Sequence, residues 1–141
     1  MRLRVEAEVR PTEDLEKVRK AILNIFNIED FRVVDAGEYR VLVGESGSIS
    51  SLLKLREMIV RGKIADTARR IIAKNSTEEY ISFKINKQAA FAGKLSFVED
   101  DRESSLGPIN VFIEARDSKE LIDWLAPNTH EKAMMEIPRD L

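Results

Sequence analysis

Residues 81–114 read ISFKINKQAAFAGKLSFVEDDRESSLGPINVFIE, and their alternation decides the fold. Ile81, Phe83 and Ile85 fall on one side of an extended chain, Leu95 and Phe97 on one side of a second, and Ile109, Val111 and Ile113 on one side of a third. Side chains alternate across a strand, so each segment has one apolar face to hide. A basic loop over 86–94 and an acidic loop over 99–103 separate them. Three such faces demand a helical cover, and Leu52 to Lys74, just upstream, carries two amphipathic patterns.

Outward from this stretch the same logic holds. Residues 2–10 alternate, with Leu3, Val5, Ala7 and Val9 against Arg2, Arg4, Glu6, Glu8 and Arg10, which predicts a half-buried strand. Pro11 ends it, Thr12 is placed to cap a helix, and Leu15, Val18, Ile22, Ile25 and Phe26 repeat at helical spacing. Phe31–Asp35 and Tyr39–Val43 flank a turn over Ala36 and Gly37 and predict a hairpin. A helix with Leu52, Leu55, Met58 and Ile59 on its apolar face stops at Gly62. The next, from Lys63, buries Ile64, Ala65, Ala68, Ile71 and Ile72 and turns Lys63, Thr67, Arg70 and Lys74 outward. Asp117 or Ser118 caps a last helix over Leu121, Ile122, Trp124 and Leu125, stopped by Pro127. The pattern predicts a single α+β domain over residues 1–127, with an antiparallel-rich mixed sheet and helices packed on one side. Two similar lobes, about 1–47 and 48–127, and a tail over 128–141 complete the expected layout.

A chain of 141 residues buries roughly 68% of its unfolded surface, enough for a core without staples. The absence of cysteine removes disulfides, zinc thiolates and thiol catalysis, and fits a reducing, cytoplasmic interior. No segment reaches the roughly 18 apolar residues of a membrane span.

The net charge of −2 hides an asymmetry: residues 54–94 carry +6, and the rest of the chain −8. The candidate functional set is therefore Arg61, Lys63, Arg69, Arg70, Lys74, Lys84, Asn86, Lys87, Gln88 and Lys94, where cations and amides meet phosphates and 2′-hydroxyls. The bland reading of the same residues is a solvated face, with Asp66 pairing Arg69 or Arg70 at helical spacing.

Other motifs point to plain structure. Gly44-Glu45-Ser46-Gly47 has the spacing of a phosphate loop, but Glu45 would repel an anion, so a turn is expected there. Glu99, Asp100, Asp101 and Glu103 lack calcium-loop spacing and predict a hydrated turn rather than a cation site. His130 has no triad context, and Trp124 reads as a core or interface anchor. A catalytic pocket would need Asp35, Glu45, Asp66 or Glu114 to converge, and no catalytic or cofactor motif is present.

INKQAAFAGKLSFV (85–98), SSLGPINVFIE (104–114) and LIDWLAP (121–127), together with VEAEVRPTEDLEKVRKAILNIF (5–26) and REMIVRGKIADTARRII (56–72), resemble an archaeal group, uncharacterised protein family 0201. The resemblance covers almost all of residues 1–127. It implies an α+β fold similar to large-subunit ribosomal protein five, and RNA binding. With the basic middle of the chain, the expected function is a non-catalytic grip on structured RNA within an RNA-processing or ribosome-related assembly, the alternative being a protein-interaction module or dimeric scaffold with no nucleic-acid role. The resemblance also implies a homodimer, for which Met134, Met135 and Ile137 in the tail offer apolar surface.

Overall fold

The computed structural model describes residues 1–100 and 105–128. Asp101 and Glu103 of the acidic loop, His130, and the tail methionines with Ile137 lie outside these residues.

Five strands form one sheet: β1 (Arg2–Val9), β2 (Asp30–Asp35), β3 (Arg40–Ser46), β4 (Tyr80–Ile85) and β5 (Ile109–Glu114), in the order β2-β3-β1-β5-β4. Every pairing among them is antiparallel, so the α+β class stands and no parallel pair occurs among the described strands. β1, the longest of these strands, lies at the centre and pairs with β3 on one side and β5 on the other. Leu3, Val5, Ala7 and Val9 are buried on one face, in line with Ile109, Val111 and Ile113 of β5 and Ile81, Phe83 and Ile85 of β4.

That face is covered by helices α1 (Leu15–Ile25), α2 (Leu53–Arg61), α3 (Ala65–Lys74), α4 (Lys87–Phe91) and α5 (Ser118–Leu125). They contribute Val18, Ile22, Ile25, Leu55, Ile59, Ile72, Leu121 and Leu125 to one continuous core, in which Trp124 is 1% exposed. Burying each such side chain contributes about 1.5–3 kcal/mol against leaving it in water. Trp124 is thus a core anchor, with Arg56 Nε donating to its carbonyl at 2.8 Å and the guanidinium 5.4 Å from its ring centre.

The local signals act with small shifts. Asp14, rather than Thr12, caps α1, its Oδ1 accepting from the Glu16 N–H at 2.9 Å. Asp117 caps α5 in the same way, through the Glu120 N–H. Gly62 closes α2, and the left-handed residue that redirects the chain into α3 is Lys63, at φ 56°. Gly37 turns the β2–β3 hairpin at φ 94°.

Two expectations are corrected. Residues 86–94 are not an open loop: Asn86 caps α4 by accepting from the Ala89 N–H at 2.8 Å. Leu95 and Phe97 do not make a full strand. The segment touches β4 through a single bridge, Ile85 to Phe97, with Asn86 N–H donating to Ser96 O and Val98 N–H to Lys84 O. Gly93 and Lys94 close α4 onto Ala90 and Ala89, which leaves too few residues before the acidic turn for a longer ladder.

Candidate nucleic-acid interface

The ten residues singled out by charge do not form one surface. Three of them meet where the end of α3 approaches the outer edge of β4. Lys74 from α3 and Lys84 from β4 line a cleft of about 90 Å³ together with Asn75, Ser82 and Glu99. Arg70, one turn before Lys74, reaches Glu99 with both terminal nitrogens, at 3.2 and 3.3 Å. This bidentate contact holds the Glu99 carboxyl below the usual glutamate range, first through the hydrogen bonds and then through charge, with Lys74 adding a smaller attraction. It raises the Arg70 guanidinium above its already high value. The Asp66 pairing expected for the solvated-face reading is replaced by Glu99 for Arg70 and by Asp123 for Arg69.

Period-two placement explains why Lys84 is there. Ile81, Phe83 and Ile85 point into the core, so Tyr80, Ser82 and Lys84 take the opposite face of β4. On α3, burial of Ala68, Ile71 and Ile72 leaves Arg70 and Lys74 at the rim.

The remaining candidates divide. Arg61 and Lys63 sit exposed at the α2–α3 turn, Arg61 paired with Glu57 at 2.9 Å. Lys94 is exposed after α4, and Gln88 lines a different cleft, of about 290 Å³, between α1 and α4 with Lys17 and Phe91. Three residues read as interface have structural duties instead. Asn86 is a helix cap. Arg69 donates to Ala126 O at 3.1 Å and pairs with Asp123 at 2.7 Å, tying α3 to α5. Lys87 is 3% exposed, and its ammonium donates to Glu8 O, Leu106 O and Glu13 Oε1. Charge along the chain misplaces Lys87, because a lysine in the first turn of a short helix faces inward when three acceptors wait there.

Gly44-Glu45-Ser46-Gly47 is not the turn expected from its glycines, because residues 44–46 continue strand β3 and pair in its ladders. Gly44 lies inside β3 against the Phe31 ring, and Glu45 pairs with Arg32, so no anion-binding loop forms. Among the described residues no group of metal-ligating side chains gathers, and no helix is long and apolar enough to cross a membrane.

The face of the sheet opposite the described helices carries a feature that charge alone passes over. Tyr80 and Phe112 sit with ring centres 6.5 Å apart at an interplanar angle of 37°, next to Arg2, Arg4 and Glu114. The signal is present in the alternation: Tyr80 and Phe112 occupy the polar phase of their strands.

A family model described as RNA binding matches residues 2–115. The UPF0201 protein of Sulfurisphaera tokodaii is 46% identical over 125 residues, covering 89% of this chain and 86% of that protein. That of Aeropyrum pernix is 44% identical over 130 residues, covering 92% and 87%. The crystal structure of the UPF0201 protein from Methanococcus jannaschii superposes with a TM-score of 0.80 at 34% identity, covering 90% of this chain and all of that one.

Proposed function

Because the chain belongs to the UPF0201 family and to the RNA-binding family whose model spans it, we propose that it is a non-catalytic protein gripping structured RNA by its phosphates at the junction of α3 and β4. The observation that carries this reading is the meeting of Lys74 and Lys84 in one cleft, with Arg70 held alongside by Glu99. Cations fixed by a helix end and a strand edge match the backbone of an A-form helix, which is recognised by shape, phosphate and 2′-hydroxyl contacts. Arg61, Lys63 and Lys94 extend the positive potential as long-range attraction. A cytoplasmic setting suits such a partner.

The test compares binding of the same sequence as RNA duplex and DNA duplex, with heparin as a polyanion control. Preference for RNA supports the reading; equal binding to all three reduces it to a charged surface.

A second reading, a protein contact, is favoured by one observation. Val33 and Val34 are 43% and 44% exposed on β2, the edge strand of the sheet. An edge with unpaired backbone groups and apolar side chains accepts another chain readily, a second copy or an assembly partner. A dimer would appear as doubled mass in light scattering.

A further inference from the structure

We propose that the face of the sheet that no described helix covers binds an unpaired RNA segment, stacking a base on Tyr80 and Phe112. This rests on the reading that the chain binds RNA, and adds to it a second site for a different form of the polymer.

The register builds the site in two rows. Tyr80 stands opposite Glu114, which stands opposite Arg2; Ser82 stands opposite Phe112, which stands opposite Arg4. Adjacent rows on one face bring two aromatic rings beside two arginines, with a single carboxylate between Tyr80 and Arg2. Tyr80 is 39% exposed, and Arg2 and Arg4 keep 76% and 51% of their side chains in solvent. A cleft of about 470 Å³ lined by Arg2, Glu79, Tyr80, Glu114 and Arg116 adjoins a second of about 160 Å³ lined by Arg2, Arg4, Glu45, Tyr80, Phe112 and Glu114.

The chemistry matches a nucleotide in its mixed character. Exposed aromatic rings on a sheet are expensive to leave in water and offer a face to any base. The arginines at the rim suit the phosphates, although Arg4 also pairs with Glu6 at 2.6 Å and Arg2 with Glu45 at 3.9 Å. The Glu114 carboxylate, which makes no hydrogen bond or ion pair among the described residues, is an acceptor without a donor. It selects a base edge with an amino group and disfavours uracil, which has none. Ser82 and Lys84 continue the same face of β4, so the platform and the phosphate cleft lie about 13 Å apart along one strand. A duplex cannot reach the platform with its bases stacked on one another; a loop or a single-stranded flank can.

The experiment measures anisotropy of labelled cytidine and uridine hexanucleotides and of an RNA duplex with the full chain. Wild type is expected to bind the cytidine strand about fivefold more tightly than the uridine strand. Tyr80→Ala is expected to weaken the cytidine strand about tenfold while leaving the duplex unaffected, with Tyr80→Phe restoring tight binding. Tyr80→Leu, which keeps apolar bulk without a π face, should match the alanine variant, and retained duplex binding shows that both fold. Glu114→Gln should erase the cytidine preference. Unchanged hexanucleotide binding by folded Tyr80→Ala would overturn the platform and leave the phosphate cleft standing. Binding of neither polymer by wild type would overturn both. A Tyr80→Ala variant that turns a dimer into a monomer without altering RNA affinity would mark the face as a contact between copies, and also overturn the proposal.

Discussion

Lys87 Nζ lies 2.9 Å from Glu13 Oε1, a salt bridge with side chains only 4% and 13% exposed. The same ammonium donates to Glu8 O at 2.8 Å and Leu106 O at 2.7 Å, so all three of its hydrogens are used. It thereby fastens the end of β1, the start of α1 and the loop before β5 to α4. Removing one partner of a buried pair leaves an uncompensated charge, so Lys87→Ala is expected to cost about 3–5 kcal/mol. Exposed Lys94→Ala should stay within about 0.5 kcal/mol. Urea unfolding measures both; equal stabilities would contradict the structural role.

How much of this is legible in the sequence follows from what kind of signal each residue gives. The periodicity of Ile81, Phe83 and Ile85, or of Leu3, Val5 and Ala7, states which face is buried, because apolar burial drives the fold. A lysine gives no such signal. Lys87 and Lys84 look alike in the chain, yet one is enclosed by carbonyls from distant segments and the other lines the rim of a cleft. Arg69 and Arg70 are neighbours, and only the tertiary positions of Asp123 and Glu99 separate their roles. The Leu95–Phe97 alternation is real but short, and α4 uses the residues that a longer strand would need.

Glu99 restrains the proposed interface as well as ordering it. Its carboxylate neutralises part of the charge of Arg70 and Lys74, so Glu99→Gln should tighten RNA binding and steepen its salt dependence. Anisotropy across a salt series reads this directly; weaker binding would mean that holding Arg70 in place matters more than freeing its charge.

The same contact sets a pH dependence. A carboxyl held below its ordinary value stabilises the fold above that value, and the contribution is lost as pH falls through the lowered one. At neutral pH the tether is intact, and any stability difference between wild type and Glu99→Gln should shrink in acid and vanish below the lowered value. Thermal melts at a series of pH values check it; a difference that grows on acidification would refute the assignment.

Gly44 marks a close approach within the hairpin. A Cβ there would sit 2.9 Å from Phe31 Cε1 and 3.2 Å from Ile28 Cγ2. Gly44→Ala is therefore expected to lose about 1–3 kcal/mol through overpacking, seen as a lowered melting temperature. A melt unchanged from wild type would show that the Phe31 ring swings aside without cost.

The central claim is that RNA phosphates are held by Lys74 and Lys84 in the α3–β4 cleft. The direct measurement is the slope of log affinity against log salt for an RNA duplex, with wild type and with Lys74→Ala/Lys84→Ala. Each lysine that no longer neutralises a phosphate should lower the slope by about one, so the double variant is expected to bind more weakly with a slope reduced by about two. A folded double variant with the wild-type slope and affinity would contradict the account and move the search for the RNA surface elsewhere on the molecule.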